Sequence, residues 1–255
     1  MNVRIEAEPR LVRVLVAGGL CLALAAPALA DISNPPLIFK ATSSLGEATY
    51  KVSLEDGEWV SEDAWFWMLP SAIDFVDPNN GSLIARLVQG SSYIEHDPVL
   101  SGGFSVQAGA VDTTFTITIG SLGFPTISNP FARASAGMTV TDGDGNGASV
   151  KGLMPGGTMY HTSYNFGTAF ASLISGPLVE PDAWGTNSDS DEYPAGAGNF
   201  IALGGPASEM FAEWKFTLTA NDSAAGTGVF VVIPAPGVLA LVGTGLGFVA
   251  TRRRR

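Results

Sequence analysis

Between Asp31 and Ile233 the chain alternates apolar and polar residues with a period of two. The clearest case is residues 114–119, where Phe115, Ile117 and Ile119 alternate with threonines. Such alternation predicts a strand with one buried and one polar face. The same pattern predicts strands at residues 36–42, 50–54, 64–69, 83–88, 104–108, 138–141, 149–153, 158–164, 199–203, 213–218 and 230–233.

Turn-forming residues separate these segments, as in Asp77-Pro78-Asn79-Asn80-Gly81 and Pro155-Gly156-Gly157. About a dozen short strands at this spacing predict an all-β fold, an antiparallel β-sandwich or jelly-roll-like domain. The last strand, 230–233, is expected to pair back across the turn at 220–228. Residues 165–174 are the one helical candidate inside the domain, and a further hydrophobic helix is expected at the C-terminus.

Composition agrees with one folded, exported domain. The 255 residues include 46% hydrophobic and 15% charged residues, with 31 Gly. Cys21 is the single cysteine and lies in the N-terminal apolar run. If that run is removed, the remaining chain has no thiol, which excludes disulfides, thiol catalysis and cysteine-ligated metals.

Charge is distributed unevenly. Seven of the 13 basic residues, but two of the 24 acidic residues, lie in the terminal segments, which leaves 6 basic and 22 acidic residues between them. A domain with this net charge of −16 repels phosphate backbones, so nucleic acid is not an expected partner.

The N-terminus has the order of a secretory signal peptide. Basic residues precede an apolar stretch at 14–26, and Ala28 and Ala30 supply small residues before Asp31. Cleavage is therefore predicted between Ala30 and Asp31. The alternative is a retained N-terminal anchor, although the run is shorter than the ~20 residues of a membrane span.

The C-terminus combines three features. Pro234, Ala235 and Pro236 precede a Gly- and Leu-rich apolar run at 238–251. The chain then ends in a basic cluster that resists translocation: Arg252, Arg253, Arg254 and Arg255. Together these features resemble a PEP-CTERM sorting signal, although Ala235 stands where that family's name-giving residue is Glu. The alternative is a plain tail anchor.

The resemblance covers the tail alone and implies an address rather than an activity. It implies processing by an exosortase, a membrane-embedded cysteine enzyme, near the proline motif. The chain is accordingly divided into a signal peptide (1–30), an extracytoplasmic domain (31–233) and a sorting signal with a transmembrane helix (234–255). The protein is expected to sit transiently in the inner membrane and then to reach the cell envelope or extracellular matrix.

One loop carries a pattern of metal ligands. Asp142, Asp144 and Asn146, followed by Gly147, match the first half of a calcium loop. The twelfth position is Leu153 rather than a bidentate Glu, and strands rather than helices flank the loop. A hairpin turn is the favoured interpretation, and a weak calcium site is the alternative. No other cofactor is expected.

Two other groups of residues are candidates for ligand binding. An acidic loop contains Glu180, Asp182, Asp189, Asp191 and Glu192. Five tryptophans, which are candidates for a sugar platform, are Trp59, Trp65, Trp67, Trp184 and Trp214. Residues 65–67 are apolar on both faces of a strand, which favours a core position for Trp65 and Trp67.

An enzyme is not predicted. His96 and His161 lie far apart, and the chain contains no nucleophile elbow, phosphate loop or dinucleotide fingerprint. The leading hypothesis is a structural or adhesive protein of the envelope or exopolysaccharide matrix. The alternatives are a carbohydrate-binding module and, third, a glycoside hydrolase with paired carboxylates.

Overall fold

A computed structural model describes residues 31–235, which form two antiparallel β-sheets. Sheet I contains β1 (Asp31–Ile32), β2 (Leu37–Ser43), β3 (Gly46–Val52), β9 (Thr113–Ile127), β11 (Ala148–Gly152), β12 (Thr158–Tyr164), β13 (Thr168–Ser175), β14 (Leu178–Glu180) and β17 (Ala207–Leu218). Sheet II contains β4 (Glu58–Trp59), β5 (Ala64–Met68), β6 (Ile73–Val76), β7 (Leu83–Glu95), β8 (Val99–Ala108), β10 (Pro130–Thr141), β15 (Thr186–Tyr193), β16 (Ile201–Ala202) and β18 (Ser223–Pro234). The predicted all-β, antiparallel class is confirmed.

The main strand order is β13-β12-β17-β9-β2-β3 in sheet I and β15-β10-β18-β8-β7-β5-β4 in sheet II. Two short 3₁₀ turns, Leu54–Asp56 and Pro155–Gly157, are the helical turns among residues 31–235. Within those residues, no helix has the length and apolar character that crossing a membrane requires. The predicted C-terminal helix lies outside the described residues.

The core lies between the sheets and is built from the predicted alternation. Phe115, Ile117 and Ile119 of β9 are buried, while the intervening threonines are not fully buried. Aromatic rings join the two layers: Phe104 of β8 lies 5.6 Å from Phe216 of β17, centroid to centroid. Each aromatic pair adds about 0.5–1.5 kcal/mol beyond the burial of its area.

Glycine lets the central strand of sheet II approach these rings. A Cβ atom on Gly226 would lie 2.5 Å from Phe104 Cζ, and one on Gly228 would lie 2.7 Å from Tyr160 Cε2. Side chains at these two positions would therefore displace aromatic groups of the core. The glycine spacing in β18 is a packing requirement of the sandwich.

Two predicted hairpins are instead crossings between the sheets. β17 lies in sheet I and β18 in sheet II, so residues 219–222 lead the chain across the core. The loop at 142–147 likewise connects β10 of sheet II with β11 of sheet I. A turn that crosses the core and a hairpin turn use the same Asp and Gly residues, so the local sequence does not separate them.

The helix predicted at residues 165–174 is wrong. Residues 165–167 form the tip of the β12–β13 hairpin, and β13 is an edge strand of sheet I. Asn165 and Phe166 have φ angles of 46° and 59°, which a right-handed helix does not allow. Pairing with β12 has decided the conformation here.

The described chain begins and finishes at the same end of the sandwich. Asp31 pairs with Gly123 near the end of β9, and Pro234 pairs with Pro130 at the start of β10. Residues 128–129 join these two strands. We call this the β9–β10 end.

Candidate functional site

A groove crosses the outer face of sheet II. Its floor consists of two rows of residues that pair across five strands, β7, β8, β18, β10 and β15. One row is Ser91, Gly103, Thr227, Gly137 and Ser190. The other is Gln89, Ser105, Ala225, Thr139 and Ser188. Apart from Gln89, the residues of these two rows are small or bear a hydroxyl group.

The groove has a volume of about 870 Å³. A second depression of about 500 Å³ shares Gly137, Ser190 and Thr227 with it and extends the concave surface along the strands. With strands ~4.8 Å apart, five strands give a span of about 19 Å. An extended ligand therefore has contact positions on several strands at once.

Gly103 and Gly137 face outward and deepen the groove because they have no side chain. Their lack of a side chain is not required by the packing of the core rings. A Cβ atom on Gly137 would meet its nearest neighbour, Thr227 Oγ1, at 3.7 Å, and one on Gly103 would meet Ser91 Oγ at 3.2 Å. These positions thus differ from Gly226 and Gly228, whose Cβ atoms would overlap buried rings. Larger side chains at Gly137 would project into the groove instead.

The lining combines polar and apolar groups and carries no cation. Among its residues only Asp189 is ionisable, and Met68, which is 65% exposed, supplies an apolar wall at the β5 side. Hydroxyl and amide groups both donate and accept hydrogen bonds. The surface is suited to a neutral, hydroxyl-rich ligand and unsuited to a polyanion.

A second candidate site is a carboxylate cluster at the end of the sandwich opposite to the β9–β10 end. One oxygen each of Asp142, Asp144 and Asp222 lies within 4.8 Å of the others. Asp142 and Asp222 are buried, whereas Asp144 is exposed. Such a cluster has the ligand chemistry of a calcium site.

In the structure the carboxylates of the cluster accept hydrogen bonds from backbone N–H groups and a hydroxyl group of the surrounding loops. Asp142 Oδ1 accepts the N–H groups of Asp144 and Gly145 at 3.2 and 3.0 Å, and its Oδ2 accepts that of Trp184 at 2.7 Å. Asp222 accepts the Gly143 N–H at 3.0 Å and the Thr219 hydroxyl. The carboxylates thus fasten three loops together.

The pKa values of the two buried carboxyls move in opposite directions. Burial raises the pKa of Asp142, but the N–H groups of Trp184, Asp144, Gly145 and Gly147 outweigh it and bring the pKa to about 2. Burial also raises the pKa of Asp222, and there the Thr219 and Gly143 hydrogen bonds do not compensate.

Two of the three predicted calcium ligands, Asp142 and Asp144, lie together in the carboxylate cluster. The third, Asn146, is exposed and donates its backbone N–H to Asp144 Oδ1 at 3.3 Å. The cluster also contains Asp222, which lies 80 residues away from Asp142 along the chain. No local spacing rule relates two loops that are distant in the chain, so Asp222 could not be predicted from the sequence.

The tryptophans do not form one platform. Trp65, Trp67 and Trp214 are buried in the core, which confirms the core prediction for Trp65 and Trp67. Trp59 and Trp184 are exposed, but they lie by β4 and β15, at opposite edges of sheet II. A sugar platform built from the five tryptophans is therefore wrong.

The acidic segment predicted as a loop contains a strand. Asp189, Asp191 and Glu192 lie on β15, the edge strand that pairs with β10. Glu180, at the end of β14, is buried and accepts the N–H of Asp182 at 2.8 Å. Sheet pairing overrode the low strand propensity of Asp and Ser.

The two histidines lie in different sheets. His96 follows β7, with its Nδ1 3.7 Å from Asp63 Oδ1 and its ring 5.6 Å from that of Trp59. His161 of β12 lies 3.0 Å from the Ser172 hydroxyl, and burial lowers its pKa. They do not form a common site.

Most residues of the two predicted terminal signals lie outside the described residues. These are Ala28, Ala30, Pro236, Arg252, Arg253, Arg254 and Arg255. Of the remainder, Asp31 begins β1, and Pro234 is the last residue of β18. The strand therefore reaches one residue past the predicted domain boundary at 233.

Comparisons with known proteins do not assign the chain to a family. No family model and no curated protein matches the chain. Among solved structures, the VP2 subviral particle of infectious bursal disease virus is 10% identical over 80% of this chain and 78% of that one, with a TM-score of 0.12. The structure of the Gx strain of the same virus is 14% identical over 85% and 63%, with a TM-score of 0.15. Scores this low carry no argument about fold or function.

Proposed function

We propose that this protein is an exported structural or adhesive protein of the cell envelope or extracellular matrix, and that it holds a neutral polysaccharide in the groove of sheet II. The observation that supports the proposal is the groove itself. It is wide, bears rows of hydroxyl groups and has no cationic lining, and a Cβ atom on Gly103 or Gly137 would meet a groove hydroxyl rather than a buried ring.

The delivery part of the proposal comes from the terminal sequences. A signal peptide would start export, and the PEP-CTERM-like tail would hold the chain at the inner membrane until an exosortase-type enzyme cuts it. The matrix to which such a protein is delivered is rich in polysaccharide, so the address and the groove chemistry agree. No catalytic role is part of the proposal.

The groove chemistry favours a glycan over other polymers. A peptide would add to a sheet edge rather than to a floor of hydroxyls. Nucleic acid and acidic polysaccharides would bring negative charge towards a domain that carries 22 acidic and 6 basic residues. A neutral glycan matches donors and acceptors without that repulsion.

Affinity electrophoresis of the 31–235 domain in gels that contain soluble neutral polysaccharides tests the proposal. Gly137→Val adds a side chain to the groove floor at a position where β-branching suits a strand. We expect retardation of the wild type, and a loss of affinity in the variant of about tenfold, or about 1.4 kcal/mol.

Gly123→Val is the matched control. Its Cβ would lie 3.6 Å from the nearest atom, Asp31 O, in sheet I and away from the groove. The control should bind like the wild type, with an unchanged melting temperature. Equal binding by all three proteins would contradict the groove as the binding site.

A further inference from the structure

A small pocket lies at the tip of the β12–β13 hairpin, beside β17 of sheet I. Its volume is about 350 Å³, near the lower end of the range of ~300–1,000 Å³ that is typical of small-molecule sites. Ser163 of β12 and Phe211 of β17 are paired neighbours, and both line the pocket. Phe211 alternates with the buried Met210 and Ala212, so the pocket opens on the outer face of sheet I, on the other side of the sandwich from the groove.

Phe166, which lines this pocket, has an unusual position for a phenylalanine. Its side chain is 91% exposed, and its φ angle is 59°. The left-handed region is unfavourable for a bulky residue, and the turn of a hairpin prefers glycine there. An exposed ring also adds nothing to the packing of the core. The stability of the fold therefore does not explain a phenylalanine at position 166, and backbone outliers of this kind are concentrated at ligand sites.

Three side-chain hydrogen bonds fix the hairpin tip against the start of β17. Asn165 Oδ1 accepts the Ser208 N–H at 3.0 Å, and Asn165 Nδ2 donates to Pro206 O at 2.6 Å. Glu209 Oε2 accepts the Phe166 N–H at 3.1 Å. The backbone that carries the exposed ring is thus held in place without a ligand, which lowers the entropy cost of binding one.

The lining combines aromatic rings with a carboxylate. Phe166, Phe211 and Tyr164 supply the rings, and Glu209 supplies the carboxylate. Among the described residues, no Lys or Arg lines the pocket. Burial lowers the pKa of His161, which also lines it, so this ring is uncharged at neutral pH and does not repel a cation. Because the faces of aromatic rings attract positive charge, the pocket is suited to an organic cation.

We propose that this pocket binds a quaternary ammonium group, such as that of choline. The methyl groups of such a cation can lie against the phenyl faces, whereas a primary ammonium is strongly hydrated and needs hydrogen-bond acceptors that phenyl walls do not offer. The excess of 22 acidic over 6 basic residues in the domain also favours a positively charged ligand. The site depends neither on the glycan groove nor on the terminal signals.

Titration of the isotope-labelled 31–235 domain with choline chloride, followed by nuclear magnetic resonance, tests the proposal. We expect saturable shifts of the amide signals of residues 164–167 and 209–211. The uncharged analogue of choline, in which a carbon atom replaces the nitrogen, should bind about tenfold more weakly, because it keeps the shape and loses the attraction to the ring faces.

Two variants separate the contributions of the ring and the carboxylate. Phe166→Leu keeps an exposed apolar side chain without an aromatic face and should weaken choline binding about fivefold. Glu209→Gln keeps an oxygen that can accept the Phe166 N–H but removes the charge, and it should also weaken binding. Trp184→Leu is the matched control, since Trp184 is an exposed aromatic residue beside Asp142 and outside the pocket. It should bind choline like the wild type, and the melting temperature shows that each variant is folded.

The absence of saturable shifts with the folded wild type would overturn the proposal. So would equal affinity for choline and its uncharged analogue, or an unchanged affinity in Phe166→Leu. Flotation with vesicles of phosphatidylcholine, compared with vesicles of phosphatidylglycerol, distinguishes two sources of the cation. Flotation with phosphatidylcholine alone would identify a lipid headgroup, and choline binding without flotation would identify a free solute.

Discussion

Buried aspartates hold the connections of this fold in place. Asp142 is 3% exposed, yet its oxygens accept N–H groups from its own turn and from Trp184. The Asp77 carboxylate likewise accepts the N–H of Asn79 in its own turn at 2.8 Å and the N–H of Glu47 in β3 at 3.3 Å. A carboxylate can be buried at such sites because charge-assisted hydrogen bonds replace its hydration.

Asp142→Asn should lower the melting temperature. The amide can keep Oδ1 towards Asp144 and Gly145, but an NH₂ group then faces the Trp184 N–H. For a chain of this size we expect a loss of about 3–8 °C at neutral pH. Asp144→Asn, in the same loop but exposed, is the control and should lose little.

The difference in melting temperature between the wild type and Asp142→Asn should depend on pH. Because the folded-state pKa of Asp142 is lowered to about 2, the carboxylate stabilises the fold above its ordinary pKa of 3.8, and this stabilisation is lost as the pH falls towards 2. Thermal unfolding of wild type and Asp142→Asn should therefore converge between pH 4 and pH 2. A constant difference over that range would contradict the role given to the carboxylate.

Addition of calcium shows whether the cluster of Asp142, Asp144 and Asp222 binds a metal or only accepts hydrogen bonds from the loops. Because Asp142 already uses both oxygens, millimolar Ca²⁺ should leave the melting temperature nearly unchanged. Saturation to 100 times Kd would instead stabilise the protein by about 2.7 kcal/mol. A rise in the wild type that Asp144→Asn abolishes would show that the cluster binds calcium.

At the scale of elements, β15 shows how an exposed edge strand is protected. The N–H groups of Ser188, Ser190 and Glu192 are each accepted at 2.8 Å by the side-chain oxygen of the preceding Asn187, Asp189 or Asp191. β15 pairs with β10 on one side only. The alternating Asn and Asp residues therefore occupy donors that would otherwise pair with another chain.

The double variant Asp189→Val, Asp191→Val should self-associate. It frees the N–H groups of Ser190 and Glu192 and adds two residues of high strand propensity. Sedimentation and light scattering should show concentration-dependent dimers or aggregates. Asp189→Asn, Asp191→Asn keeps an acceptor oxygen at each position, and it should stay monomeric if capping rather than charge is the cause.

At the scale of the whole molecule, the position of β18 limits where the tail can be cut. β18 pairs with β10 as far as Pro234 and with β8 as far as Val231, and the Val232 N–H donates to Pro98 O at 3.0 Å. Cleavage upstream of Pro234 would require a central strand to leave both neighbours. If the proposed processing occurs, the folded domain should therefore restrict it to the residues that follow Pro234.

We expect the mature protein from the producing cell to begin at Asp31 and to end at or after Pro234, without Arg252, Arg253, Arg254 and Arg255. Intact mass measurement of the mature protein checks both ends. Replacement of the four arginines with serine should impair processing. An epitope after Arg255 that remains on the mature protein would show a tail anchor instead, and a chain ending before Val231 would contradict the protection by β18.

The sequence by itself determined the fold class and the strands with clean alternation. Residues 114–119 and 213–218 were predictable because their period of two is a local property that burial of one face requires. The terminal signals and the negative charge of the domain are likewise linear features. The pattern of the two ends predicts delivery to the cell surface, and that stays a prediction.

Only the tertiary structure decided which turns cross the core, and therefore which residues meet. Asp222 joins Asp142, and Gly103 joins Thr227 and Gly137 in one groove, through pairings between strands that are distant in the chain. β13 and β15 became strands because their neighbours offered hydrogen bonds, against their local propensity. Such non-local pairings depend on the register of whole sheets, which no short sequence window contains.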